Sequence, residues 1–291
     1  MSKELTPTAI ARIEQWVKET KGKPFTLSEL RELHGIDTKE DRAKFGSGID
    51  RLLTEKQIIE RLGRGLYRLI PLEEPEIDLT KVDSSNFFPC RIPLGNVCLD
   101  DYVVLYRKSP CVIAGVTNAG KTSFLLNLIK ANMDWHNIYY FFSEGGGEQL
   151  VDRLQLFGGP IEDWHFHPIP RTSNFVESIR PDDFNIIDFL SEEEAFYNID
   201  RTLRDIIAKL DKGICWIAIQ KSPFAKAGVG GHFSEDRAQL YLIMENNTLR
   251  IKKAKKWKDL RVNPNNMKWN YKLIYGAKFV NVGRCYSQEE L

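Results

Sequence analysis

Gly115-Val116-Thr117-Asn118-Ala119-Gly120-Lys121-Thr122 is the stretch that decides the fold. It spells G-x-x-x-x-G-K-[ST], the pattern of a loop that cradles phosphate. The flanks agree with that reading. Residues 111–114 form a short apolar run expected to be a buried strand, and residues 123–130 repeat apolar side chains at helical spacing. In a strand, glycine loop and helix, backbone N–H groups turn toward phosphate oxygens and the helix N-terminus adds its partial positive charge. Gly115, Asn118, Ala119, Gly120, Lys121, Thr122 and Ser123 are the expected nucleotide contacts. Lys121 would reach the β- and γ-phosphates and Thr122 would ligate Mg²⁺. ATP with Mg²⁺ is the expected cofactor.

Working outward, such a loop needs partners at neighbouring strand ends. Residues 184–188, Phe-Asn-Ile-Ile-Asp, are an apolar run ending in Asp188, a second metal ligand; the alternative is a strand-end carboxylate satisfied by solvent or a helix cap. Residues 138–144 are an apolar strand ending in Ser143-Glu144. In a parallel sheet that end faces the ligand, so Glu144 is the candidate base for the attacking water. It could instead cap the next helix. Residues 214–220 end in Gln220, a candidate γ-phosphate sensor. The glycine-rich segment 222–231 after it, with Lys226, reads either as a nucleotide-dependent DNA loop or as an ordinary flexible loop.

The 291 residues, 42% hydrophobic and 28% charged, suit one large or two modest globular domains. No run approaches the ~20 apolar residues of a membrane span. Met1-Ser2-Lys3-Glu4 has no signal-peptide core, so a cytoplasmic location is expected. The five cysteines are scattered and read as free thiols.

Residues 1–70 read as a small separate domain. Pro7 opens a helix carrying Ile10, Ile13, Trp16 and Val17. Thr26-Leu27-Ser28-Glu29 is a capping box for a second helix. A third lies within 38–54, weakened by Gly46 and Gly48 at about 1 kcal/mol each, or shortened to a helix capped by Ser47. Residues 57–70 read as a β-hairpin around Gly63-Arg64-Gly65. This order resembles a winged helix-turn-helix, which implies DNA contacts from Arg42, Lys44, Ser47, Arg51 and Arg64. Such modules also bind proteins, here a replication or recombination partner. Residues 71–87 are acidic, proline-bearing and linker-like.

From residue 88 to 291 the pattern is α/β. Strands are expected at 111–114, 138–142, 184–189, 214–219 and 240–244, with helices near 121–133, 148–156 and 199–210. This alternation argues for a mainly parallel sheet with helices on both faces. Residues 249–254, 268–275 and 278–282 read as antiparallel edge strands. Residues 250–284 hold eleven Lys/Arg and one acid, Asp259, with Trp257, Trp269 and Tyr271 between them. That density points to phosphate contacts and base stacking, with nucleic acid or a neighbour's nucleotide as the target and Lys252 and Lys256 foremost; strand alternation would instead place some of these lysines on a solvated face.

GVTNAGKT, YYFFSEGGGEQLVDRL, FNIIDFL, ICWIAIQK, SEDRAQLYLIME and RIKKAKKWK fall in one order, and over roughly residues 90–282 the chain resembles the RecA-fold ATPase domain of the DnaB/RepA replicative-helicase lineage. The resemblance implies a homo-oligomeric ring or filament on DNA. It implies Glu144 as catalytic base, Asp188 as Walker B carboxylate and Gln220 as sensor. It also implies basic residues that reach the next subunit's nucleotide. Lys255 fits that motif's lysine, but Trp257 stands where the lineage has arginine, leaving Lys258 or Arg261 as substitutes. The lineage's helical N-terminal domain is replaced here. The competing reading is an ATP-regulated DNA-binding regulator, loader or scaffold with incidental hydrolysis.

Overall fold

The structure is a computed structural model that describes residues 7–63, 65–70, 77–190, 192–222, 228 and 232–286. The chain divides into two compact units, Met1–Val82 and Asp83–Leu291.

In the first unit, helix α1 (Pro7–Glu19) is followed by β1 (Phe25–Thr26), α2 (Leu27–Leu33), α3 (Lys39–Thr54), β2 (Ile59–Gly63) and β3 (Leu66–Leu69). The three strands pair antiparallel in the order β1-β3-β2. The capping box forms as its spacing requires: the Glu29 amide donates to Thr26 Oγ1, and the Thr26 amide donates to Glu29 Oε2 at 2.6 Å. Ile13, Val17, Phe25, Leu30, Phe45, Ile49, Leu52, Ile59 and Tyr67 fill the core. The expectation of a Ser47 cap is corrected. Residues Lys39–Thr54 form one uninterrupted helix capped by Thr38, whose hydroxyl accepts from the Asp41 amide. The Ser47 hydroxyl donates to the Ala43 carbonyl within that helix. Gly48 is buried against Ile13, where a Cβ would collide with the Ile13 side chain, so the glycine permits the close approach of α1 and α3.

The second unit opens with two short antiparallel pairs, β4 (Phe87–Phe88) with β7 (Leu105–Tyr106) and β5 (Pro93–Leu94) with β6 (Val97–Cys98). The main elements follow: β8 (Ser109–Gly115), α4 (Lys121–Asn132), β9 (Ile138–Phe142), α5 (Gly147–Gln155), β10 (His167–Pro170), α6 (Phe175–Ser178), β11 (Phe184–Leu190), α7 (Glu192–Lys209), β12 (Ile214–Gln220), α8 (His232–Arg237), β13 (Leu240–Glu245), β14 (Thr248–Ala254), β15 (Lys268–Ile274) and β16 (Lys278–Cys285). Nine of these strands form one sheet, in the order β10-β9-β11-β12-β8-β13-β14-β15-β16. The pairs from β10 to β13 are parallel, and those from β13 to β16 are antiparallel.

Both faces of the parallel part are covered, which is why its strands read as continuous apolar runs rather than alternating ones. Cys111, Ile113, Trp216 and Ala218 meet Phe124, Leu125, Leu128 and Ile129 of α4 on one face. Val112, Ala114, Cys215 and Ile217 meet Ile199, Leu203, Ile206 and Leu210 of α7 on the other. Edge strand β10 was not foreseen. Its sequence, His-Pro-Ile-Pro, lacks two amide donors, which an outermost strand tolerates.

Gly46 sits in α3 with nothing within 4 Å of an added Cβ, whereas Gly48 faces Ile13. Gly46→Ala should therefore stabilise the first unit by about 0.5–1 kcal/mol in chemical denaturation. Gly48→Ala should give no such gain, and equal gains would contradict the close packing of α1 on α3.

Candidate nucleotide site

Strand β8 is buried along its length and delivers Gly115 to the carboxyl edge of the sheet. The loop then closes through Asn118 (φ 61°) and Gly120 (φ 93°), both in the left-handed region. A side chain at Gly120 would be strained by that φ and would also crowd Leu273 at 3.0 Å. The base of the loop is tied on both sides. The Lys221 amide donates to Gly115 O at 3.0 Å, and the Val116 amide donates to Met244 O at 3.3 Å.

Thr117, Asn118, Gly120, Lys121, Thr122, Ser123, Glu144, Asp188 and Gln220 line one cavity of about 540 Å³. The structure thus brings together at the strand ends most of the residues singled out from sequence for the nucleotide site. Lys121 folds back over the loop, its ammonium donating to Gly115 O (2.9 Å), Val116 O (3.0 Å) and Gln220 Oε1 (3.2 Å). Burial pushes its pKa down, against the opposing pull of Asp188 and Glu144. Gln220 Nε2 donates to Thr117 Oγ1 at 2.6 Å, so this amide bridges the loop and its lysine.

Asp188 is 6% exposed. Tyr140 Oη donates to its Oδ2 at 2.7 Å, and the Thr122 hydroxyl is a second hydrogen-bond partner. Burial raises the Asp188 carboxyl, with Tyr140, Thr122, Arg153 and Lys121 pulling it back. A hydroxyl and a carboxylate in contact are hard oxygen donors of the kind Mg²⁺ takes. Among the described residues no group of three or more His, Cys, Asp or Glu is placed to hold a metal. The Thr122–Asp188 pair could hold a cation together with phosphate oxygens and water. Glu144 is exposed at the cavity mouth. It is followed by Gly145 at φ 75°, packed on the Gln149 side chain.

Three features escaped the sequence reading. Arg153, on α5, lines the cavity beside Glu144 and Asp188, one and a half turns of helix beyond the glycines; its place in the amphipathic pattern gave it no mark. Tyr140 reads as one more apolar strand residue until Asp188 is set beside it. The third is the C-terminal hairpin. Tyr271 Oη donates to Ala119 O (2.6 Å), the Ser123 hydroxyl donates to Gly276 O (2.6 Å), and Asn127 Nδ2 donates to Ala277 O (2.8 Å). Strands β15 and β16 thus buttress the loop and the first turns of α4, and Leu273 forms an apolar wall of the cavity.

The remaining candidates lie elsewhere. Trp257 is half-buried, bridged to Val103, with its Nε1–H on Ala254 O. Lys258 donates to Asp100 O at 2.9 Å, and Arg261 forks onto Asp259. Lys255 is exposed. Lys252 is half-buried on β14, and Lys256 follows that strand. The expectation of base stacking by Trp269 and Tyr271 is corrected: they are 1% and 4% exposed, inside the core, because odd positions of β15 face α4's side of the sheet. In the first unit Lys44 pairs with Glu40 and Arg51 with Glu55 along α3, beside exposed Arg42 and Ser47. Arg64 and Lys226 lie outside the described residues. Of segment 222–231, Gly228 is buried, its amide donating to Tyr241 Oη.

Because the fold holds the Asp188 carboxyl above its unfolded pKa, its ionisation costs stability as pH rises through that raised value, and costs nothing below the ordinary carboxylate range. Without Mg²⁺ and nucleotide, Asp188→Asn should therefore melt above the parent at neutral pH, and the gap should close as pH falls below about 4. A parent more stable than the variant at pH 7 would contradict this.

The solved structures place this arrangement among known folds. The chain is similar to a KaiC-like protein of the hyperthermophilic archaeon Pyrococcus horikoshii OT3, at 15% identity and a TM-score of 0.50, covering 67% of this chain and 100% of that one. No protein-family model matches the chain, and no curated protein matches it. No helix among the described residues is long and apolar enough to cross a membrane. The second unit has a RecA-like P-loop fold, α/β with a largely parallel sheet and antiparallel strands at its C-terminal side.

Proposed function

We propose that the chain binds ATP with Mg²⁺ and hydrolyses it, as a DNA-associated protein of the DnaB/RepA type that assembles into a ring or filament. The observation that carries this is the convergence of Lys121, Thr122, Glu144, Asp188 and Gln220 on one cavity at the carboxyl ends of the parallel strands. Lys121 leaves its loop carbonyls to meet the phosphates, and its release frees Gln220 to report on the terminal phosphate. Thr122 and Asp188 would hold Mg²⁺, which would supply positive charge to offset that developing on the phosphoryl oxygens. Glu144 orients and deprotonates the attacking water. Arg153 is a second cation from the same chain on the Glu144 side of the cavity.

DNA association is supported by the basic C-terminal strands. Arg250 lies opposite Lys268 across β14 and β15, and Lys252 follows on β14. In this reading the first unit is a winged helix that meets DNA or a replication or recombination protein. One observation favours a second reading, in which nucleotide acts as a switch and turnover is slow. Trp257, Lys258 and Arg261 are all engaged within their own chain, leaving Lys255 to reach a neighbour.

Glu144→Gln should keep nucleotide affinity within about threefold while turnover falls by 10²-fold or more, and Lys121→Ala should lose binding itself. Sustained turnover in Glu144→Gln would move the base elsewhere. Affinity for DNA should fall steeply with salt, and reversing charge at Lys252 and Lys256 together should weaken it and flatten the salt slope by about two. Unchanged affinity would remove these strands from the interface.

A further inference from the structure

At the opposite end of the parallel strands, where β9 and β10 begin, lies a second cavity of about 500 Å³. Its walls come from residues 133–137, between α4 and β9, and residues 164–167, leading into β10. Trp135 is 58% exposed although it belongs to the well-packed second unit. The Arg91 guanidinium covers one face of its ring at 5.5 Å. The Arg91 backbone is anchored, its amide and carbonyl both held by the Asn132 side chain. Across the cavity Trp164 carries a second cation, Lys130, 5.6 Å from its ring centre. His165 and His167 are exposed on the same wall, His167 stacked on Tyr139 and hydrogen-bonded to Asn137. One carboxylate, Asp134, stands at the rim, 3.7 Å from His165 Nδ1.

We propose that this cavity binds a nucleotide unit of a single-stranded nucleic acid. A large exposed indole with a cation on its far face offers a stacking platform to a planar base, and stacking accepts any base. Arg91 and Lys130, each over a ring that lines the cavity, are cations available to backbone phosphates of a strand stacked there. The histidines supply ring nitrogens for base edges or phosphate. Paired, stacked bases have no free face for Trp135, so the site selects single strands over duplex. Aromatic rings capped by cations, with Asp134 the one carboxylate among the residues that line the cavity, favour nucleic acid over a peptide. Of the aromatic residues first singled out among the basic strands, Trp269 and Tyr271 are buried and Trp257 is half-buried, whereas the Trp135 indole is exposed with a cation on its ring. The inference goes beyond the ATPase reading and does not require it.

The test measures anisotropy of a labelled mixed-sequence single-stranded oligonucleotide on the full chain, with the matching duplex, dTMP and inorganic phosphate as competitors. Single strand should bind more tightly than duplex. Trp135→Ala should weaken it about tenfold or more, and Arg91→Ala should weaken it and lower the salt slope by about one. ATP turnover without nucleic acid should be unchanged in both variants. Parental affinity in both variants overturns the proposal. So does competition by dTMP or phosphate at the strand's own concentration, which would assign the cavity to a free small anion. A parent chain that hydrolyses ATP but binds no single strand overturns this site and leaves the ATPase reading standing. Loss of strand binding in Trp135→Ala, in a chain without ATP turnover, does the reverse.

Discussion

The molecule is built around a strand with no exposed side. Strand β8 is buried on both faces and hydrogen-bonded in parallel to β12 and β13, so its end at Gly115 cannot shift without breaking two ladders. The polar loop that follows therefore starts from a fixed point. Its carbonyls need donors, and Lys121 and the amide of Lys221 supply them. A buried ammonium and a buried carboxyl, Asp188, then face one cavity, and burial shifts both pKa values toward neutrality. A phosphate group and a divalent cation are the species whose charges would relieve both at once.

Much of this was legible in the chain. The order of strands and helices in the second unit follows from apolar runs short enough to be strands, separated by amphipathic helical stretches. The P-loop carried its own chemistry in its spacing, and Asp188, Glu144 and Gln220 could be found because each ends an apolar run. Thr26-x-x-Glu29 announced its helix through a local hydrogen-bond exchange. These signals are short-range, and short-range signals survive in a linear string.

What was not legible depends on contacts between distant residues. Gly46 and Gly48 suggested a broken helix, but only the meeting with Ile13 shows that Gly48 is spent on close packing and that α3 runs through. Trp269 and Tyr271 looked like exposed aromatics among lysines. Strand alternation allowed two faces, and the sequence did not say which one α4 would cover. Tyr140 and Arg153 gained meaning only when β9 and α5 were set beside Asp188. Strand β10 hid behind its prolines.

The hydrogen bond from Tyr271 to Ala119 spans 152 positions, and the one from Ser123 to Gly276 spans 153. A growing chain that has made the glycine loop and its helix still lacks the strands that hold them. The loop leaves the ribosome early, but its outer wall arrives about 150 residues later, on the order of ten seconds at ordinary elongation rates. Contacts of such separation form late, after the local helices have closed. The candidate pocket is thus among the last parts of the domain to be completed, and it is unfinished until the β15–β16 hairpin has been made.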